Sequence, residues 1–233
     1  MQFQHSAGIW RDFPALVPAV LYAEGITAAA PGASSRADGY ADVAKERLAE
    51  SAESELPEIQ AWRRAFTRMG LKPTQYRCAS EALLRRFRKE GSLPPLHPLV
   101  DLCNAVSLAF AIPVAVLDVS MITGGIEVRY ATGAEEYLTF AGETEHPAPG
   151  EVIFADEAGR AHARRWTNRQ SGLSAVKDST TAALIVAEAL HDEAALDITR
   201  LTAALAADIE ALWSVTPSAA ILTASSPRFT LAP

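Results

Sequence analysis

HPLVDLCNAVSLAFAIPVAVLDVS, residues 97–120, carries the reading that decides the fold. A helix is predicted from about Leu99 to Phe110, stopping before Pro113, which has no N–H to continue it. VAVLDVS, Val114–Ser120, then reads as a short strand. Downstream come further strand candidates: IEVRYA (126–131), EYLTFA (136–141), EVIFAD (151–156) and RAHARRW (160–166). Gly124-Gly125, Gly133, Gly142, Gly150 and Gly159 fall at or near the turns between them. Such short gaps cannot hold a crossover helix, so neighbouring strands are predicted to be antiparallel. The fold class is therefore α+β, a mainly antiparallel sheet with packed helices.

Working upstream, ALVPAVLYAEGI (15–26) reads as one or two strands, followed by the loop-like AAAPGASS. Val43, Ala44 and Leu48 predict a helix from Tyr40 to about Ala52. Pro57 opens another helix with Ile59, Trp62, Phe66 and Met69 on one face, ended by Gly70. A basic helix follows at 79–89, with Leu83, Leu84 and Phe87 inward and Ser80 or Thr74 as its cap. Downstream, TTAALIVAEAL (180–190) is too evenly apolar to separate strand from helix. Residues 194–213 form an amphipathic helix with Leu196, Leu201, Leu205, Ile209 and Leu212 as its stripe. Residues 219–223 suit an edge strand, and the tail SSPRFTLAP is read as irregular.

The chain has 233 residues, 49% of them apolar, enough to bury a real core. It has neither a membrane-spanning apolar run nor a start resembling a signal peptide, so cytoplasmic residence and no membrane partner are expected. Cys78 and Cys103 match no zinc spacing and read as buried reduced thiols. His146 and His162 are too loosely spaced to suggest a metal, so no metal site and no cofactor are expected. The formal net charge of −7 argues against a dedicated duplex-binding protein. Residues 61–100 nevertheless hold nine bases against two acids. Arg63, Arg64, Arg68, Arg85, Arg86 and Lys89 thus become candidates for contact with an RNA backbone.

Several spaced agreements in one order carry a family likeness. They are Val100-Asp101-x-x-Asn104-x-Val106, Pro113, Asp118, Gly125-Ile-x-Val-Arg129 and Val152-Ile-x-Ala-Asp156. Together they resemble the B3/B4 domain of the phenylalanyl-tRNA synthetase β subunit, and the whole chain resembles free-standing B3/B4 proteins. The likeness implies one domain over 1–233: an N-terminal elaboration (1–58), a best-matching core (59–190), and a C-terminal helix and tail (191–233). It also implies a pocket in which the synthetase domain hydrolyses tRNA-Phe wrongly charged with tyrosine, using placed water and polar side chains without metal. On transfer, the family's pocket histidine falls on Ala115 and its pocket glutamate on Glu188. Its glycine-rich loop is replaced by Trp166-Thr-Asn-Arg-Gln-Ser-Gly172.

Ester deacylation needs a placed water, a group to orient it, and donors for the oxyanion. Glu188, Asn168 and Ser171 are the catalytic candidates. Arg165, Trp166, Arg169, Gln170 and Asn104 are the ligand-binding candidates, with Ser174, Lys177, Asp178 and Ser179 extending the polar cluster. Asp101, Asn104 and His97 have the competing role of capping and tying the helix. Three functions follow: a hydrolase acting in trans on misacylated aminoacyl-tRNA, a non-catalytic RNA-binding module, and an enzyme or binder for a small amino-acid-like ligand gripped by Arg165 and Glu188. The oligomeric state is not legible. All three readings require Glu188 and residues 164–171 to border one recess.

Overall fold

The computed structural model describes residues 1–231. Its strands are β1 (Gln2–His5), β2 (Val17–Glu24), β3 (Val114–Asp118), β4 (Gly125–Tyr130), β5 (Tyr137–Leu138), β6 (Thr144–Glu145), β7 (Val152–Asp156), β8 (Ala161–Arg164), β9 (Arg169–Gln170), β10 (Ala182–Ala189), β11 (Ser218–Ile221) and β12 (Arg228–Thr230). The helices are α1 (Ala7–Asp12), α2 (Ala33–Glu50), α3 (Pro57–Arg68), α4 (Ala79–Glu90), α5 (Pro98–Phe110) and α6 (Ala194–Trp213). Six strands form one sheet in the order β12-β1-β4-β7-β8-β9, four form another in the order β11-β2-β10-β3, and β5-β6 is a separate hairpin. Pairing between these strands is antiparallel except where β1 lies parallel to β4. The α+β class with a mainly antiparallel sheet stands.

β10 explains why its sequence was ambiguous. Successive side chains of a strand point to opposite faces, and both faces of β10 are covered. Leu184 and Val186 join Phe3, Val128, Phe154, Trp62 and Trp166 in the core that links the two sheets. Ala183, Ile185 and Ala187 pack with Leu99, Leu102 and Val106 of α5 and with Ile198, Leu201, Leu205 and Ile209 of α6. A strand buried on both sides reads as a continuous apolar run. Glu188 shares its parity with Leu184 and Val186, so it points into the space between the sheets.

Several boundaries differ from expectation. α2 starts at Ala33, not Tyr40, because its first turns carry little apolar signal; Ala33 and Ala44 are its buried residues. RAHARRW stops as a strand at Arg164, because Arg165 and Trp166 turn through left-handed φ values of 47° and 57°. In EYLTFA only Tyr137–Leu138 forms a strand, with Glu136 making a single parallel bridge to Arg160. Neither Ser80 nor Thr74 caps α4; its N-cap is Cys78, without a side-chain bond. Leu196 is exposed and Ile198 takes its place in the stripe of α6. The tail is not wholly irregular, since Arg228–Thr230 pairs with β1. Both cysteines are buried and free, and burial pushes the Cys78 thiol up to about 11. No helix among the described residues is long and apolar enough to cross a membrane.

Gly125 fixes the seating of β1 on β4. A Cβ there would lie 2.6 Å from the Gln2 carbonyl oxygen, closer than backbone atoms tolerate. Gly125→Ala is predicted to destabilise the protein by about 1–3 kcal/mol, measured by urea unfolding. An unchanged midpoint would contradict the close seating of this strand.

Candidate functional site

β10 ends by carrying Glu188 into the inter-sheet core, where it is only 2% exposed. An apolar setting penalises a carboxylate that lacks donors. Two side chains supply them to the same oxygen. His5 Nε2 lies 2.6 Å from Glu188 Oε1, and Trp166 Nε1–H donates to Oε1 at 2.9 Å. With the carboxylate accepting, His5 carries its proton on Nε2, and its buried Nδ1 has no partner among the described residues. Glu188 Oε2 receives no hydrogen bond from any described residue, leaving it available to a ligand or water.

The surroundings hold this group in place. β1 brings His5 opposite Val128 in the parallel ladder, and its ring packs edge-on against Phe3 and Trp10, with centroids 5.3 and 5.4 Å away. Trp166 is placed by the left-handed turn after β8 and packs edge-on against Phe13 at 4.7 Å and Trp62 at 5.0 Å. Trp62 Nε1–H donates to the Glu188 carbonyl at 3.3 Å. Glu151 steadies the turn by accepting from the Arg165 N–H at 3.0 Å and from the Arg164 guanidinium at 2.8 and 2.9 Å. Burial raises the Glu151 pKa, but the Arg164 bonds and charge outweigh it and the net shift is downward. Two consecutive non-glycine residues in the left-handed region cost about 1–3 kcal/mol each.

Beside Glu188 lies a recess of about 60 Å³ lined by Ala115, Trp166, Thr167, Asn168, Arg169, Gln170, Val186 and Glu188, among others. Glu188 and much of the 164–171 loop therefore share one recess. Ala115 borders it, paired across the sheet with Val186. Asn168 Nδ2 is already donated to the Arg77 carbonyl at 2.8 Å, and Gln170 Nε2 to the Val116 carbonyl at 2.7 Å. Each of these side chains keeps its oxygen as an acceptor and one amide N–H, the other N–H being held by the protein. Arg169 pairs with Glu145 at 3.2 Å and lies over the Tyr137 ring.

Other candidates lie elsewhere. Ser171 is fully buried, donates to the Leu138 carbonyl at 2.8 Å and accepts from the Leu173 N–H at 3.1 Å, so it serves a turn and does not face the recess. Arg165 lies over the Tyr76 ring at 4.8 Å and does not line the recess. Its joint grip on a ligand with Glu188 is not supported; Arg169 is the arginine at the recess. Trp166 is fully buried, a wall of the recess rather than an exposed platform for a base. Asn104 lines a different groove between α2 and α5. The capping roles fit instead: His97 Nδ1 accepts the Leu99 N–H at 3.2 Å, and Asp101 accepts the Leu96 N–H at 2.9 Å.

The basic segment is partly internal counter-charge. Glu81 is buried and binds Arg63 at 2.6 Å and Arg77 at 3.4 Å. Glu53, also buried, binds Arg85 at 3.2 Å and Arg88 at 2.8 Å. Arg86 pairs with Glu90 at 2.8 Å, and Arg68 lies over the Phe13 ring. Arg64 and Lys89 make no ion pair among the described residues.

Sequence reading missed His5 and the full role of Trp62. The signal was short: in QFQH, Phe3 and His5 share one face of a four-residue strand.

An α+β domain of two sheets, with a carboxylate buried between them beside a small recess, is the class of molecule this geometry defines. The family model for the B3/4 domain matches residues 61–206, and the chain belongs to that family. It is similar to phenylalanine–tRNA ligase β subunits: 38% identical over 76 residues to that of Cereibacter sphaeroides, 41% over 63 residues to that of Coxiella burnetii, and 32% over 71 residues to that of Thiobacillus denitrificans. These matches cover 33%, 27% and 30% of this chain and only 9%, 8% and 9% of the ligase subunits. The crystal structure of an N-terminal fragment of the phenylalanyl-tRNA synthetase β-subunit from Pyrococcus horikoshii superposes with a TM-score of 0.48 at 8% identity, over 92% of this chain and 49% of that one.

Removing His5 takes one of the two donors from buried Glu188 Oε1, and removing Glu188 leaves His5 Nε2 and Trp166 Nε1 without their acceptor. His5→Phe is predicted to destabilise by about 2–3 kcal/mol. Combining it with Glu188→Leu should cost clearly less than the sum of the two single changes. Simple additivity in urea unfolding would show that the two side chains are not coupled.

Proposed function

We propose that this chain acts on aminoacyl-tRNA, hydrolysing the ester of misacylated molecules in trans in the cytoplasm, with residues 1–233 working as one domain. The observation that carries this reading is Glu188 at the wall of the recess, with Oε1 fixed by His5 and Trp166 and Oε2 without a donor among the described residues. In the proposed reaction, Oε2 orients a water and takes its proton as the water oxygen attacks the ester carbonyl. The tetrahedral intermediate then expels the terminal ribose oxygen, which takes up the proton that Glu188 removed from the water, leaving the free amino acid and the ribose hydroxyl. Family membership supports tRNA as the partner class.

The recess argues against carrying over a tyrosine substrate. At about 60 Å³ it is smaller than the roughly 150 Å³ cavity that accepts a benzene ring. Small aminoacyl side chains fit this reading better, and Ala115 in place of the family histidine points to altered chemistry at the same wall. A non-catalytic RNA-binding module is the second reading, favoured by Ala115 standing where the family histidine would be and by the protein bonds that already orient Asn168 and Gln170.

A panel of aminoacyl-tRNAs incubated with wild type and Glu188→Gln tests hydrolysis directly. Wild type should accelerate deacylation of members with small side chains, and Glu188→Gln should lose about 100-fold. No acceleration of any member would remove the hydrolase. Replacing Arg64, Arg68 and Lys89 with Ala should weaken tRNA binding at low salt and flatten its salt dependence. Unchanged binding would reject the basic-face contact.

A further inference from the structure

Away from the recess, Glu58 in the first turn of α3, His191 just after β10 and Asp197 in the first turn of α6 converge. One potential ligand atom from each lies within 4.8 Å of the other two. His191 Nε2 is 2.9 Å from Asp197 Oδ2. Glu58 and His191 are both more than nine-tenths buried, yet Glu58 Oε2 and His191 Nδ1 have no hydrogen-bond partner among the described residues. Acidic side chains at helix N-termini have an electrostatic reason of their own. That reason does not supply a partner to a buried carboxylate oxygen, nor does it bring a histidine into the group.

We propose that Glu58, His191 and Asp197 bind one divalent first-row transition ion of the Zn²⁺ or Mn²⁺ kind. One imidazole and two carboxylates make a donor set suited to these ions. Ligands about 2.0–2.2 Å from a common ion stand roughly 3–4 Å apart, so a small inward shift closes the site. Arg47 supports it from outside: it donates to Glu58 Oε1 at 2.7 Å and to the Ala109 carbonyl at 2.8 Å, fixing the carboxylate while Oε2 stays open. Arg200 stands 4.0 Å from Asp197 Oδ1, too distant to satisfy it fully. Asp197 is the partly exposed member, giving the ion a path in and room for water to complete its coordination. The ion ties α3, the end of β10 and α6 together. His191 lies three residues beyond Glu188, and Glu58 one turn before Trp62. Sequence spacing hid the site because its ligands come from three separate elements.

The test uses the full chain after treatment with a chelator, titrated with Co²⁺ as a spectroscopic stand-in and then with Zn²⁺. One equivalent of Co²⁺ should bind with visible absorption showing nitrogen and oxygen ligation, and Zn²⁺ should displace it and raise the melting temperature. Asp197→Asn and His191→Gln should each weaken binding at least tenfold and lose most of the melting shift. Circular dichroism checks that each variant is folded; if His191→Gln is not, the more exposed Asp197→Asn decides. No Co²⁺ binding, or binding unchanged in a folded variant, would overturn the proposal. The readout is metal binding, so it is independent of any deacylase activity.

Discussion

Two sheets that share an apolar face cannot leave a carboxylate between them without donors. Glu188 stands in that position, and the arrangement around it follows from the need. β10 presents Glu188 from the four-stranded sheet, and β1 presents His5 from the six-stranded one. Trp166, delivered by the hairpin between β8 and β9, gives the second bond. A single side chain thereby couples both sheets and the loop that walls the recess. Its Oε1 is committed to structure and its Oε2 accepts nothing from the described residues, which divides one carboxylate between holding the fold and any chemistry.

The same economy runs through the charged residues. The basic stretch that stood out in an acidic chain meets Glu53 and Glu81, both buried, and much of its charge is matched inside the protein. Net charge by segment cannot distinguish a guanidinium that faces solvent from one that neutralises a buried acid eighteen or thirty-two residues away. Among the described residues, Arg64, Arg68, Lys72 and Lys89 are the bases of this stretch left without ion pairs, fewer than half of the nine.

Much of the fold was legible because it rests on local rules. Pro57 and Gly70 mark the start and end of α3 through backbone chemistry, and the glycines between β3 and β8 mark turns for the same reason. The family pattern and the placement of Glu188 beside the 166–170 loop were also legible. Elements that depend on distant partners were not. β1 is four residues long and acquires its role only by lying beside β4 and β12. Trp166 reads as a ligand-binding candidate in a polar loop, and the left-handed turn at Arg165 and Trp166 folds its ring wholly inside. Ser171 read as a polar candidate, but the Leu138 carbonyl takes its hydroxyl. Local sequence cannot disclose a donor's partner across a sheet.

The most direct measurement of the central claim is a crystal structure with an amide-linked aminoacyl-adenosine, which cannot be hydrolysed. The account predicts density for a small acyl group in the recess within hydrogen-bond reach of Glu188 Oε2, while Oε1 keeps His5 and Trp166. A recess filled by core side chains, or the analogue bound elsewhere with Glu188 untouched, would contradict it.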